Sequence, residues 1–252
     1  QWTISEEAGY KIRVDLLNKT ISIEKVADAP FSKLWIVGDA TESGWNVDDP
    51  AAFTQDEENH FIFTYTGNFN PGEFKVFAGP QGDFCGDWYR PFEDGQDLVD
   101  GEVNQNSGCE GDTKWLVTED NAGRYKITLN TKDNTITFEQ VKLYIVGDGS
   151  PSGWDINTPQ ELTYDNGDFV FKGELGADNP TGEFKFSNQV GDWCGGLWVN
   201  AATASQSVDN TDFIRTLGCD GPDNKWKLQE GDAGTYEIRI NLDTETMSIT
   251  RQ

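Results

Sequence analysis

Short runs in which apolar and polar residues alternate recur along the whole chain. Apolar and polar side chains alternate in Tyr125-Lys126-Ile127-Thr128-Leu129, and Phe74-Lys75-Val76-Phe77 places Phe and Lys on opposite faces. A period of two is typical of a strand with one buried face. Aromatic and β-branched residues fill further strand-like runs, at 34–37, 60–65, 168–172 and 184–186. No helical period of useful length is found, so the pattern predicts an all-β chain.

The pattern is an internal repeat. Leu34-Trp35-Ile36-Val37-Gly38-Asp39 returns 109 positions later as Leu143-Tyr144-Ile145-Val146-Gly147-Asp148, and Ser-Gly-Trp follows each copy. Gly-Glu-Phe-Lys, Gly-Asp-aromatic-Cys-Gly, a second Cys and Lys-Trp also return in the same order. About seven short strands per copy predict tandem immunoglobulin-like β-sandwich modules. We place module 1 at 29–141 and module 2 at 142–252.

A third, partial copy opens the chain. Gly9-Tyr10-Lys11-Ile12 resembles Gly123-Arg124-Tyr125-Lys126-Ile127, which lies near the end of module 1, and Gly234-Thr235-Tyr236-Glu237-Ile238 near the end of module 2. Residues 1–28 are therefore predicted to be the C-terminal hairpin of an upstream module. We expect the natural chain to be longer at its N-terminus.

The four cysteines follow the repeat. It favours Cys85–Cys109 and Cys194–Cys219 as disulfides inside each module, among three arithmetically possible pairings. Disulfides would indicate an oxidising compartment. A metal site is the weaker alternative because no Cys-x-x-Cys occurs, and free buried thiols are the remaining one.

Charge narrows the classes of ligand. The chain has 44 acidic and 19 basic residues, and its net charge is −25. Nucleic acids and anionic membranes need Lys and Arg, so we expect neither as a partner, and the same charge argues against an anionic polysaccharide. The single histidine, His60, excludes sites built from several histidines, and we expect no cofactor and no metal.

The nine tryptophans divide into two groups. Trp35 lies inside a predicted strand, and Trp2, Trp115 and Trp226 recur just before a final hairpin, which favours core positions. Large rings in Gly-rich loops are costly unless they are used, because loops run over the surface. The predicted loop rings are Trp45, Trp88, Tyr89, Trp154, Trp193 and Trp198.

Aromatic rings held on rigid loops suit a sugar ligand. The C–H face of a pyranose stacks on an aromatic face, and polar groups at the rim bind its hydroxyls. Lys75, Lys185 and Arg90 are the candidate rim residues. Two structural interpretations stay open: each lysine lies on a solvated strand face, and Trp45 and Trp154 plug the end of each sandwich.

The repeated motif resembles a known family. Leu-aromatic-Ile-Val-Gly-Asp-x-x-x-Ser-Gly-Trp followed by Gly-Glu-Phe-Lys is similar to the tandem glycan-binding modules of SusE/SusF-like outer-membrane lipoproteins of Bacteroidota. The resemblance implies non-catalytic β-sandwich modules with one starch or related glucan site each. It places Trp45 and Trp154 as first aromatics, with Trp88 or Tyr89 and Trp193 or Trp198 as second ones. It also implies a lipid anchor upstream, the outer face of the outer membrane and a glycan importer complex as partner. The Cys pairs and the strong acidity depart from the family pattern.

Two other classes of function remain. A structural or adhesive sandwich without a sugar site would use the same fold. A glycoside hydrolase accessory domain or enzyme would need paired carboxylates, and the repeated acids are Asp39/Asp148, Glu73/Glu183 and Asp83/Asp192. Asp39 and Asp148 are more simply turn caps, since each follows a strand-ending Gly.

Overall fold

The computed structural model describes residues 9–26, 28–109 and 111–252. In this part of the chain all regular elements are β-strands. The chain divides into two compact units: the first runs to Asn121 and includes Tyr125–Glu139, and the second consists of Ala122–Arg124 and Gln140–Gln252. The module boundaries proposed from the repeat stay a prediction.

The N-terminal strands form a hairpin with a sheet of its own. Strand β1 (Gly9–Asp15) pairs antiparallel with β2 (Thr20–Val26). Asp15 accepts hydrogen bonds from the backbone N–H groups of Leu17 and Asn18 in the turn, as Asp does in an Asx-turn. The hairpin is therefore present, and its origin in an upstream module stays a prediction.

The first unit consists of two antiparallel sheets. Their strands are β3 (Trp35–Val37), β4 (Ala51–Ala52), β5 (Thr54–Gln55), β6 (Ile62–Phe69), β7 (Gly72–Gly79), β8 (Asp87–Arg90), β9 (Gly101–Glu102), β10 (Asn104–Ser107), β11 (Trp115–Val117), β12 (Gly123–Asn130) and β13 (Thr135–Val141). One sheet has the order β10-β8-β7-β3-β4, with β11 also on β7. The other has the order β5-β6-β12-β13-β9.

The second unit repeats this plan. Its strands are β14 (Tyr144–Val146), β15 (Gln160–Glu161), β16 (Thr163–Asp165), β17 (Asp168–Leu175), β18 (Glu183–Ser187), β19 (Leu197–Ala201), β20 (Phe213–Leu217), β21 (Trp226–Lys227), β22 (Gly234–Asn241) and β23 (Thr246–Arg251). One sheet has the order β15-β14-β18-β19-β20, with β21 also on β18. The other has the order β16-β17-β22-β23.

The core of the second unit lies between its two sheets. Phe184 and Phe186 of β18 pack in one cluster with Phe169 and Phe171 of β17 and Ile238 of β22. Alternate residues of each strand supply these side chains, as period-two burial requires. The predicted all-β sandwich is therefore confirmed.

The first unit is packed in the same way. Phe69 of β6 and Phe74 of β7 come from opposite sheets, and their ring centroids lie 5.0 Å apart. Trp115 stacks on Phe74, and its counterpart Trp226 stacks on Phe184. Both tryptophans are fully buried, which confirms the core prediction for them. Trp2, predicted to be their counterpart, lies outside the described residues.

The strand predictions hold with shifted ends. The sequence pattern predicts an extended run over 60–65, but β6 begins at Ile62 and continues to Phe69. Its start is displaced because Asp56 and Asn59 organise a turn there, in which the Ile62 N–H donates to the Asn59 carbonyl. Among the described residues no helix is long and apolar enough to cross a membrane.

Candidate functional site

The first exposed ring of the second unit, Trp154, lies on a tight turn. The Gly147 N–H donates to the Gly153 carbonyl at 2.7 Å, and the Ser152 hydroxyl donates to the Ile145 carbonyl at 2.7 Å. Gly153 has a φ of +57°, a conformation that glycine adopts without the steric cost of a Cβ. The repeated Ser-Gly-Trp motif thus fixes the position of an indole that is 38% exposed.

The second exposed ring, Trp193, lies on the neighbouring loop. A disulfide joins Cys194 to Cys219, and the Cys194 N–H donates to the Asp192 carboxylate at 2.8 Å. The Gly191 N–H donates to the Ile156 carbonyl, so this loop is bonded to the loop that carries Trp154. The loop is therefore held on both sides of Trp193, whose side chain is 39% exposed.

Three indoles meet in this region. The ring centroids of Trp154 and Trp193 lie 6.3 Å apart with planes inclined by 45°. Trp193 also stacks on Trp198 at 5.5 Å with an interplanar angle of 5°. Trp198 is 2% exposed, and its Nε1–H donates to the Trp193 carbonyl. Trp154 and Trp193 therefore present surface to solvent, while Trp198 supports Trp193 from beneath.

A lysine lies against the supporting ring. Lys185 Nζ is 3.7 Å from the Trp198 ring centroid and 5.7 Å from that of Trp193, within cation–π range. Its ammonium also lies 2.6 Å from an Asp223 carboxylate oxygen. Burial lowers the pKa of Lys185, and the hydrogen bond to Asp223 opposes that shift. Lys185 is thus a cation held by one carboxylate and one indole face.

Asp223 connects two lysines. Lys225 Nζ lies 2.8 Å from the second Asp223 oxygen and 5.7 Å from the Trp154 ring centroid. Burial acts to raise the pKa of Asp223, but the hydrogen bonds from Lys185 and Lys225 outweigh burial and the pKa is lowered. We define site 2 as Trp154, Lys185, Trp193, Trp198 and Asp223.

A cavity opens beside these residues. Its volume is about 290 Å³, and Trp193, Trp198, Lys185 and Asp223 line it together with Asn200 and Thr216. Asn200 donates from Nδ2 to Thr216 Oγ1 at 2.8 Å. Ligand pockets are typically concave, with apolar walls and a few placed polar groups, and this cavity has both.

The first unit carries the same turn and the same loop. The Gly38 N–H donates to the Gly44 carbonyl, Trp45 follows, and the indole is partly exposed. The Gly82 N–H donates to the Val47 carbonyl and connects the two loops. The expected disulfide Cys85–Cys109 is formed. Both predicted cysteine pairings are therefore confirmed, and the chain belongs in a compartment that permits disulfides.

Phe84 takes the place of Trp193 in the first unit. It is 50% exposed and stacks on Trp88 at 6.5 Å with an interplanar angle of 21°. The Trp88 Nε1–H donates to the Phe84 carbonyl at 3.2 Å. A phenyl ring thus replaces the exposed indole on the same supporting ring.

The lysine arrangement is repeated in the first unit. Lys75 Nζ lies 3.9 Å from the Trp88 ring centroid, 5.8 Å from that of Trp45 and 2.7 Å from Asp112. Lys114 lies 3.2 Å from Asp112. Burial lowers the pKa of Lys75, as for Lys185. We define site 1 as Trp45, Lys75, Phe84, Trp88 and Asp112.

Arg90 distinguishes site 1 from site 2. It stands where the second unit has Asn200 and is 2% exposed. Its Nε donates to Asn106 Oδ1 at 2.8 Å, and its guanidinium also donates to the Gly111 carbonyl. Arg90 therefore spans the inner part of site 1, and the prediction that it lies at an accessible rim is wrong.

Three of the predicted surface rings are strand residues. Trp88 and Tyr89 lie in β8 and are each 1% exposed, and Trp198 lies in β19. They pair in sheets rather than project from loops, because the Gly-rich segment ends before them. The expectation that these three rings lie on surface loops is therefore wrong.

The Tyr89 side chain lies on the face of β8 opposite to site 1. Side chains alternate along a strand, so Tyr89 points away from Trp88 and Arg90. Its ring meets Phe31 edge to face at 5.9 Å. Burial, with a contribution from the charge of Asp87, raises the pKa of Tyr89 to about 12. Tyr89 is thus removed from site 1, while the structure brings the remaining predicted residues of each unit together.

One repeated pair of carboxylates, Asp39 and Asp148, accepts hydrogen bonds from the backbone. Asp39 accepts from the Glu73 N–H and Asp148 from the Glu183 N–H, each at 2.8 Å. Burial acts to raise the pKa of Asp148, but its hydrogen bonds lower it overall. Both residues therefore stabilise turns, as expected of Asp after a strand-ending glycine.

Several site residues were not predicted. The acids Asp112 and Asp223 lie two residues before the repeated Lys-Trp, in an Asp-x-Lys-Trp motif. Phe84 occupies the position of Trp193 in the repeated Gly-Asp-aromatic-Cys-Gly motif, so alignment of the two copies would have found it. For Asn200, the signal is that it takes the place of Arg90 two residues after the repeated Trp88/Trp198.

Among solved structures, a distant structural likeness is found. No family model and no curated protein matches the chain. The crystal structure of SusF from Bacteroides thetaiotaomicron is similar with a TM-score of 0.37 and 19% identity, over 92% of this chain and 52% of that chain. The chain thus spans about half the length of that protein.

Proposed function

We propose that the chain binds a neutral polysaccharide, starch or a related α-glucan, without cleaving it, through one site in each module. The observation that carries this proposal is the pair Trp154 and Trp193. Both indoles are more than a third exposed, and their planes are inclined by 45°. Site 1 offers Trp45 and Phe84 at the corresponding positions.

The inclination of the rings supports the choice of glycan. An α-glucan curves along its length, so successive sugar faces meet rings that stand at an angle. A straight β-glucan favours coplanar rings. The apolar face of each sugar would cover an exposed indole face, and burial of such area is the main favourable contribution.

The polar groups of the site suit an uncharged ligand. Asp223 lies within ion-pair distance of both Lys185 and Lys225, and Asp112 has the same relation to Lys75 and Lys114. These cations are thus already paired, and the surrounding chain is strongly acidic. Sugar hydroxyls can donate to the carboxylates and accept from the ammonium groups, whereas a polyanion would be repelled.

The disulfides and the motif support a cellular setting for this function. Two disulfides point to a compartment outside the cytoplasm. The resemblance to SusE/SusF-like proteins supports a place on the outer face of the outer membrane, within a polysaccharide-utilisation system and beside a glycan importer. Two sites on one chain raise apparent affinity for a long glycan by roughly 10²–10⁴-fold where both engage at once.

The test is native affinity electrophoresis against starch, pullulan, laminarin and mannan. We expect retardation by starch or pullulan, and loss of retardation in the double variant Trp45→Ala/Trp154→Ala. Removal of a central aromatic anchor costs at least about 2 kcal/mol, which is about 30-fold per site. Phe92→Ala is the matched control, because Phe92 is 58% exposed and lies outside both sites.

Three results would contradict the proposal. Unchanged retardation of the double tryptophan variant would show that the glycan does not bind at site 1 or site 2. No retardation by any glycan would favour a structural or adhesive sandwich. Release of reducing sugar from the polysaccharide would replace a binding protein with an enzyme.

A further inference from the structure

The cavity of site 2 has an incompletely bonded polar wall. Asn200 is 1% exposed and lines the cavity. One amide atom, Nδ2, donates to Thr216 Oγ1, while Oδ1 is buried and has no hydrogen-bond partner. A buried polar atom without a partner is unfavourable, and native proteins contain few of them. The Asn200 amide is therefore poised to gain from an added hydrogen bond.

The first unit fills the equivalent space with its own side chain. Arg90 stands at the position of Asn200, Asn106 at that of Thr216 and Gly111 at that of Gly221. The Arg90 guanidinium bonds to both Asn106 and the Gly111 carbonyl. Because Asn200 is shorter, it reaches Thr216 alone, and Gly221 is left lining the cavity.

We infer that the cavity beside Asn200 is a hydroxyl-binding subsite of module 2, and that module 1 lacks this subsite because Arg90 occupies it. The inference rests on the proposed binding of a neutral glycan. A sugar ring stacked on Trp193 lies at the mouth of the cavity, which Trp193 also lines. A hydroxyl of that ring, or of its neighbour, enters the cavity and bonds to the Asn200 amide.

A hydroxyl is the group that the cavity chemistry selects. It donates and accepts, so it satisfies the free amide atom of Asn200 in either orientation of the amide. Rotation about the Asn χ2 torsion is soft and brings that atom toward the ligand. An anionic group would meet the carboxylate of Asp223, and the lysine that lines the cavity, Lys185, is already paired with that carboxylate. The subsite therefore selects an uncharged hydroxyl.

The experiment measures each site separately by isothermal titration with maltoheptaose. The chain with Trp45→Ala reports on site 2, and the chain with Trp154→Ala reports on site 1. In the site 2 chain, Asn200→Leu keeps the side-chain size and removes the amide, and we expect roughly 2- to 13-fold weaker binding, the value of one neutral hydrogen bond. In the site 1 chain, the same substitution should leave the affinity unchanged.

A second variant tests the subsite by filling it. Asn200→Arg imitates Arg90, and Gly221 leaves room for the guanidinium, so a folded protein is expected even if Asn200→Leu fails to fold. It should weaken maltoheptaose binding to site 2 to a similar degree. The thermal midpoint of each variant checks that the unit stays folded.

The possible results distinguish a failure of the Asn200 subsite from a failure of the proposed glycan binding. In the Trp45→Ala chain, Asn200→Arg that is folded and does not weaken maltoheptaose binding would refute the subsite. The proposed binding of glycan by Trp154 and Trp193 would still hold. If the Trp45→Ala chain binds no glycan of the panel, the proposed function of site 2 itself fails. Weaker binding with both Asn200 variants, in site 2 alone, supports the subsite.

Discussion

Site 1 and site 2 share a framework and differ where a ligand would lie. The distance from the lysine Nζ to the supporting ring is 3.9 Å for Lys75 and 3.7 Å for Lys185. The distances from these lysines to Asp112 and Asp223 are 2.7 and 2.6 Å. The differences are an exposed Phe84 against Trp193, and a long Arg90 against a short Asn200.

The comparison distinguishes residues that hold the loops in place from residues that differ between the two sites. Residue type alone does not separate these two groups. A lysine, a buried tryptophan and an aspartate hold the loops in both units, so their repetition reflects a common way of building the site. The exposed ring and the residue at position 90 or 200 differ between the two units, and both lie where we propose that the ligand binds. A repeat therefore identifies the scaffold, and its exceptions identify where the two sites are specialised.

The largest expected effect tests whether the shared framework is equally stable in the two units. The disulfides close loops with separations of 24 and 25 residues. Loop closure of this length contributes about 3.5 kcal/mol. We expect Cys85→Ser/Cys109→Ser and Cys194→Ser/Cys219→Ser each to lower the free energy of unfolding of its own unit by that amount.

Urea denaturation followed by tryptophan fluorescence measures this loss. The parent chain in a reducing agent is the matched control, since it should lose both contributions. A loss in one unit but not in the other would show that the two frameworks are not equivalent, although their geometry is.

An intermediate effect is expected when the exposed rings are exchanged. Phe84→Trp should strengthen glycan binding at site 1, and Trp193→Phe should weaken it at site 2. An indole covers about 40 Å² more of a sugar face than a phenyl ring, which at about 25 cal/mol per Å² is about 1 kcal/mol, or roughly fivefold.

Titration of each site in the chain whose other site carries the Trp→Ala change measures both shifts. Opposite shifts of similar size would mean that the ring at this position sets the difference between the sites. If neither substitution changes the affinity, the ring is not part of the ligand surface.

The smallest effect concerns pH. The lysines hold the pKa of Asp112 and of Asp223 below the ordinary value, against the effect of burial. A carboxyl with a lowered folded pKa stabilises the protein above its unfolded pKa, and this stabilisation is lost as pH falls through the folded pKa. Since both acids are nearly two-thirds exposed, each contributes about 1 kcal/mol or less.

Stability measurements from pH 7 down to pH 2 on the parent chain, Asp112→Asn and Asp223→Asn test this contribution. We expect each variant to be less stable than the parent near neutral pH, and the differences to shrink below about pH 4. Asp178→Asn is the control, because Asp178 is exposed and outside both sites. A difference that is constant over the whole range would exclude the ion pairs as its cause.

Much of the fold can be predicted from the sequence, because it depends on the local alternation of apolar and polar residues and on the internal repeat. Alternation and the repeat predict the strands, the sandwich core at Trp115 and Trp226, and the two disulfides. The site residues were predicted less well, because the place where a Gly-rich loop ends and a strand begins depends on pairing with distant residues. Trp88 and Trp198 follow such loops in sequence, and their pairing with β10 and β20 buries them.

The wrong assignment of Tyr89 to site 1 comes from the alternation of side chains between the two faces of a strand. Trp88 and Tyr89 are equivalent by composition, and one position along the strand decides which of them supports the site. The cavity depends on the length of a single side chain, Asn200 against Arg90, which no hydrophobic pattern encodes. These features need the three-dimensional register of β8 and β19.

The hydrogen bonds between the loops have a thermodynamic consequence. The Gly82–Val47 and Gly191–Ile156 bonds, with the adjacent disulfides, fix the aromatic rings before any ligand arrives. Preorganised surfaces spend little conformational entropy on association. In the proposed function, the ordering cost of binding therefore falls on the flexible glycan. Conformationally restricted segments of polysaccharide should bind more tightly than flexible segments of equal composition. The aromatic loops of the free protein and of the glycan complex should superimpose.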